Sequence, residues 1–195
     1  CNDASMEDGS ASDAWTSSKA LAESMTDEEF VAIYAFEMTW SNGIGHINTF
    51  NTPGFENRTK PEYKATEALQ NYYNKLKEFS QSISQLNHPG DTFGDFNDFS
   101  HYDEEIDAIV NMIEVGNGEG PVRGSGYFPS YEYYTRALDK GWHVAPTNNQ
   151  DNHKGRWGNA NTTKSVILAE SLTEESIYDA MRNLRVYATE DENLS

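Results

Sequence analysis

The sequence predicts an α/β fold of parallel β/α units, arranged as a barrel or as an open sheet. Three observations lead there. Short apolar segments of strand length alternate with amphipathic segments of helix length along most of the chain. No internal repeat or low-complexity tract interrupts that alternation. At 195 residues, 36% apolar and 12% aromatic, the chain can bury the core of one domain.

Residues 1–14, rich in Asp, Ser, Ala and Gly, read as loop or linker, and 15–195 as the domain. Trp15 to Ser24 reads as a short helix, and the capping-box spacing of Thr26 and Glu29 predicts one more helical turn. The apolar run Phe30 to Phe36 predicts a buried parallel strand ending at Glu37, with a second strand from His46 to Phe50. Pro53-Gly54 marks the loop from Asn51 to Lys60, and Pro61 suits a first helical position. The longest helix then runs from Tyr63 to Phe79, its stripe of Ala65, Leu69, Tyr72, Tyr73, Leu76 and Phe79 facing the core.

Ile83 to Asn87 is a strand stopped by Pro89-Gly90, and Asp91 to His101 an aromatic, acidic loop. Ile106 to Val115 carries a strand, followed by the turn-rich Gly116 to Gly126. Ser130 caps a helix through Lys140 that Gly141 closes. Strands at Trp142 to Thr147 and Ser165 to Ala169 flank a polar loop, Asn148 to Asn161. Thr173 caps a helix to about Asn183, and Arg185 to Ala188 is the last strand.

The net charge of −18 argues against a surface that grips nucleic acid nonspecifically, which needs a basic face. A phosphate-bearing ligand would be repelled unless local cations, such as divalent metals, reversed the potential. The single cysteine, Cys1, excludes an internal disulfide framework and a thiolate cage. No apolar run is long enough to cross a bilayer, and no signal peptide opens the chain. Cys1 reads either as the lipid-bearing residue of a bacterial lipoprotein or as a cut site. An acidic, cysteine-poor chain favours a secreted or cell-surface bacterial setting over the cytoplasm.

In parallel β/α folds, ligand-binding groups collect past the C-terminal ends of strands. Glu37 ends the first strand, His46 begins the next after a glycine-flanked turn, His88 ends the Ile83 strand, and Asp151 and His153 follow the Trp142 strand. Mixed imidazole and carboxylate donors suit zinc, manganese or iron, and the lack of thiolate points to a catalytic site. Taken singly, each has a plainer role: His88-Pro89 as a turn, Asp151 to His153 as a solvated loop, Glu37 as a strand cap. His143 reads as structural, within a strand, and His101 as a loop residue able to touch substrate.

The chain resembles the PHP (polymerase and histidinol phosphatase) family. The resemblance rests on Phe36-Glu37-Met38-Thr39, Gly45-His46-Ile47-Asn48, Leu86-Asn87-His88-Pro89, Ile113-Glu114-Val115 with a following asparagine, and Asp151-Asn152-His153 with Trp157-Gly158. The segments from Leu172 to Glu175 and Arg185 to Thr189 are similar to the family's closing helix and strand. It implies a distorted β/α barrel with two or three divalent metals, held by Glu37, His46, His88 and the Asp151/His153 pair. The implied activity is phosphoester hydrolysis by a metal-bound hydroxide on a phosphorylated small molecule or nucleotide. Lys154 and Arg156 would hold the phosphate, with Arg123 and His101 as further contacts.

The family also opens with His-x-His and an Asp-His pair, which this sequence lacks. The expectation is therefore a PHP barrel truncated at its N-terminus, with a partial site and exposed sheet edges that allow homo-oligomers. Two alternatives stand beside it. One is a degenerate binding module using Tyr127, Phe128, Tyr131, Tyr133 and Tyr134. The other is a metal-dependent hydrolase of amidohydrolase type.

Overall fold

The computed structural model describes residues 13–119, 128–191 and 193–194. In chain order its elements are α1 (Asp13–Met25), β1 (Ala35–Thr39), β2 (His46–Phe50), a 3₁₀ turn (Pro61–Tyr63), α2 (Ala68–Lys77) and β3 (Ile83–Asn87). The single turns α3 (Phe96–Phe99) and α4 (Glu104–Asp107) precede β4 (Val110–Asn117), β5 (Phe128–Pro129) and α5 (Tyr131–Asp139). The chain ends with β6 (Ala145–Asn149), β7 (Lys164–Ile167), α6 (Glu174–Arg182) and β8 (Val186–Thr189).

The sheet is mixed, not parallel. β1, β2 and β3 are successively antiparallel, β3 and β6 flank β4 in parallel, and β5 joins β4 antiparallel. β7 and β8 form a separate antiparallel pair. Among the described residues no pairing closes these strands into the expected barrel. Residues 40–45 are too few for the crossover that parallel neighbours need, so β1 must turn back against β2.

Both faces of the sheet are covered. Met38, Ile47, Leu86, Val110 and Ile113 share one core with Leu69, Tyr72, Tyr73 and Leu76 of α2. Those four α2 side chains are fully buried, each contributing about 1.5–3 kcal/mol by leaving water. On the other face Ile83, Met112 and Ala145 pack with Tyr178 and Met181 of α6. Strand alternation places Glu37, His46, Asn48, Gln85, Asn87, Glu114 and Asn149 on this second face as well. It is apolar beneath α6 and polar toward the C-terminal ends of β3, β4 and β6.

Several expected boundaries move, each for a local reason. α1 begins at Asp13, inside the stretch read as linker. The Thr26–Glu29 turn is not helical: the Asp27 carboxylate accepts from the Glu29 and Phe30 N–H groups, and the Thr26 hydroxyl accepts from Ala32. β1 starts at Ala35 because pairing with β2 starts at Ala35–Phe50, which leaves Phe30 exposed. Glu37 is thus the centre of β1 and not its end. The helix expected from Tyr63 splits into the 3₁₀ turn and α2, which lets Tyr63 fold back edge-on to Tyr72.

β4 begins at Val110 because the Asp103 carboxylate caps α4 through the Glu105 and Ile106 N–H groups. β6 begins at Ala145, where pairing with Met112 begins. His143 therefore lies outside the strand, exposed, with Nδ1 2.7 Å from Asp107. α6 starts as expected, the Thr173 hydroxyl accepting from the Ser176 N–H. No helix among the described residues is long and apolar enough to cross a membrane.

The aromatic loop carries the least expected backbone. Phe96, Asn97, Asp98 and Phe99 take φ of 56, 54, 58 and 53°, so α3 is a left-handed turn. That conformation costs about 1–2 kcal/mol per residue. Burial of Phe96 and Phe99 and the bond from the Phe96 N–H to the Ile44 carbonyl (2.7 Å) offset it. A side chain at Gly45 would collide with the Phe96 ring, and one at Gly94 with the Gly43 backbone, so these two glycines admit the loop against the β1–β2 turn.

Candidate metal centre

Glu37, His46 and His88 converge on the polar half of the second sheet face. Each offers one ligand atom, and the three atoms lie within 4.8 Å of one another. Glu37 Oε1 is 3.5 Å from His46 Nδ1 and 3.7 Å from His88 Nε2. The register delivers them: Thr39 stands opposite His46, and His46 opposite Asn87. The imidazoles meet edge-on at 4.9 Å between centroids, and Phe93 packs against both at 5.2 and 4.5 Å. The aromatic loop thus supplies an apolar cover.

His88 is the deepest, its side chain 4% exposed. It follows β3, precedes Pro89 and takes φ +28°, a backbone state worth about 1–3 kcal/mol of strain. Its N–H donates to Glu114 Oε2 at 2.6 Å, which fastens that conformation. The wholly buried Glu114 carboxylate also accepts from Asn117 Nδ2 at 3.0 Å and Asn149 Nδ2 at 2.8 Å. Asn87 donates to Glu37 Oε1 at 2.8 Å and accepts from Gln85 at 2.9 Å. Carboxamides from β3, β4 and β6 thereby orient both carboxylates.

The electrostatics agree with a site that draws cations. Burial pushes the Glu37 carboxyl up, but the His46 and His88 rings beside it and the hydrogen bond from Asn87 more than reverse this and hold it well below the usual carboxylate range. Burial alone would lower His88; the adjacent Glu37 carboxylate and the charges of Glu114 and Asp151 raise it instead. Burial lifts Glu114 to about 7, against the opposing pull of His88, Asn149 and Asn117. One carboxylate and two imidazoles, already adjacent, fit zinc, manganese or iron. Among the described residues the buried His88 Nδ1 has no hydrogen-bond partner, so none of them fixes the ring's tautomer.

The remaining predicted residues stand apart. Asp151 lines a cavity of about 330 Å³ together with Glu37, Asn87, Glu114 and Asn149, but is not in the cluster of three. His153 is on the exposed loop, its side chain 77% exposed and its Nδ1 2.7 Å from the Asp151 carbonyl. Lys154 Nζ is 3.5 Å from Glu119 Oε2, and Arg156 donates to the Glu119 carbonyl. His101 is exposed at the end of the aromatic loop. Arg123 and Tyr127 lie outside the described residues.

No protein-family model and no curated protein matches the chain. Among solved structures it is similar to a two-domain protein from Bacteroides vulgatus, described as containing a predicted PHP-like metal-dependent phosphoesterase. The match has a TM-score of 0.53 at 20% identity and covers 88% of this chain and 47% of that one. The likeness is one of fold. This chain thus spans about half the length of the neighbour it matches.

Glu114 and its amides are the part of the site that strand-end reasoning passed over. The signal was present: Gln85, Asn87, Glu114 and Asn117 interrupt runs that are otherwise buried on both faces. A polar side chain in such a run must face a partner or a site.

Proposed function

We propose that this chain carries the metal site of a phosphoester hydrolase, with Glu37, His46 and His88 as its nucleus. The observation that carries this reading is the approach of three ligand atoms to within 4.8 Å on one polar sheet face. The description of the structural neighbour supports it, as does a fold that puts polar groups at the C-terminal ends of parallel strands. A bound divalent ion would supply Lewis acidity toward a phosphoryl oxygen and make water more acidic.

The protein's own groups do the rest. Glu37 and the two imidazoles present lone pairs, Phe93 keeps bulk water off the rings, and Glu114 holds the His88 backbone. Asp151, on the same cavity wall, is the next ligand in this reading. His153 joins only when its ring leaves the Asp151 carbonyl. The substrate is a phosphate ester, and a complete PHP-type barrel would need further strands on this sheet.

The test is metal content and hydrolysis together. The purified chain and His88→Ala are equilibrated with Mn²⁺ or Zn²⁺, desalted, analysed for metal and assayed on p-nitrophenyl phosphate and bis(p-nitrophenyl) phosphate. Metal retained by the wild type and lost from His88→Ala, with metal-dependent hydrolysis, supports the reading. Equal retention by both proteins, or none by either, sinks it.

A further inference from the structure

Building on the metal-site reading, we propose that Arg58 grips the anionic group of the substrate, and that the substrate is a phosphate ester with an apolar or aromatic alcohol. A second cavity, of about 460 Å³, shares Glu37 with the polar one. Its walls are Trp15, Phe36 and Phe55, whose rings pack at 6.1 to 6.4 Å, and Arg58 is its one basic lining residue among those described. The cavity thus brings a metal-ligand candidate, a guanidinium and aromatic surface into one lining.

Arg58 combines a place in the cavity that Glu37 also lines with a guanidinium that no acid among the described residues holds. It donates to the Thr39 hydroxyl and meets no carboxylate among the described residues. Several other cations are paired with acids: Lys60 with Glu56 on the same wall, Lys77 with Asp103, Arg136 with Asp95 and Asp98, Arg185 with Asp179. In a chain of net charge −18, a guanidinium left to a neutral hydroxyl keeps most of its five N–H donors for an incoming anion. Lys154 and Arg156 are instead occupied with Glu119.

The spacing suits one ligand. Thr39 and Glu37 are two residues apart on one face of β1, about 7 Å by strand geometry, and Thr39 stands opposite His46. A phosphoryl group beside the Glu37–His46–His88 cluster is therefore within reach of the guanidinium fork, which binds phosphate through paired N–H groups. The aromatic wall then faces the alcohol side.

Calorimetric titration with phenylphosphonate, a non-hydrolysable aromatic anion, tests this with and without Mn²⁺. Arg58→Gln should weaken binding about tenfold, as expected for a lost charge-assisted hydrogen bond, and Arg58→Lys by less. Mn²⁺ affinity and melting temperature should be unchanged in both. A Lys154→Gln/Arg156→Gln double variant should bind like wild type. Wild-type affinity in Arg58→Gln overturns the proposal, as does no phenylphosphonate binding to the wild type, or a loss confined to the double variant. Failure of the metal-site reading looks different: Mn²⁺ binding is then absent, or insensitive to His88→Ala, whatever Arg58 does.

Discussion

Two groups of candidate ligands meet at one cavity through Glu37 and Asp151, and they are held in opposite ways. Glu37, His46 and His88 sit on or directly after paired strands, so sheet register sets their separations. Asp151 and His153 sit in the loop after β6, where His153 bonds to its own loop's carbonyl. The His88 side chain is 4% exposed and that of His153 77%. Strand-borne donors are therefore ordered before any ion arrives, while loop-borne donors must lose conformational freedom to join. The neighbouring carboxylates raise His88 against the effect of its burial, so protons compete for this ring more strongly than for an isolated imidazole.

The largest effect should separate the two groups. Glu37→Ala or His88→Ala should weaken Mn²⁺ or Zn²⁺ binding by about a hundredfold or more, since even outer supporting partners of a metal site are worth about 10–100-fold. Asp151→Ala should cost about tenfold and His153→Ala less, if ordering the loop consumes much of what its donors contribute. Calorimetry on the four variants checks the ranking. A loss in Asp151→Ala or His153→Ala as large as in His88→Ala would erase the distinction between strand and loop.

This division also explains what could be read from residues alone. β2, β3 and the start of α6 carry local signals, namely apolar patterning bounded by turn residues and a threonine cap, and they stand where expected. The expected parallel sheet gives way to a mixed one, because strand direction depends on what each short connection can span. Residues Phe30 to Tyr34, apolar as they are, find no strand partner among the described residues. Glu37, His46 and His88 were legible from their places in or just after short strand-like runs. Glu114 was hidden inside such a run, where its role appears only once the polar face of the sheet is known. Arg58 was hidden because a loop return, and no spacing along the chain, sets it beside Thr39.

Glu114 sharpens the comparison by testing what holds the strand-borne group. Glu114→Ala leaves the N–H groups of His88, Asn117 and Asn149 without their acceptor, at about 1–3 kcal/mol for each one left unsatisfied. Metal affinity should fall about 10–100-fold with it. The pH dependence has a definite sign. A carboxyl raised to about 7 on folding retains a proton that the unfolded chain has lost, so its stabilising contribution is complete below the unfolded value and disappears as pH rises toward and past 7. The melting temperature of metal-free wild type should therefore fall between pH 5 and 8 more steeply than that of Glu114→Gln. Parallel slopes would remove Glu114 as a titrating group.

The smallest effect belongs to the exposed loop. Lys154 meets Glu119 at 3.5 Å with its own side chain 72% exposed, and such solvent-exposed pairs contribute about 0–1 kcal/mol. Lys154→Ala should therefore shift unfolding free energy by no more than about 0.5 kcal/mol, and added salt should shrink even that. The useful comparison is with Glu119, which also accepts from the His153 backbone N–H and is lowered by that bond and by Lys154 against its own desolvation. Glu119→Ala releases both ties at once. If the loop donors are as loosely held as their exposure indicates, Glu119→Ala should alter metal affinity no more than His153→Ala does. A larger loss would mean that Glu119 already positions Asp151 and His153 for the metal, and that the loop belongs with the strands.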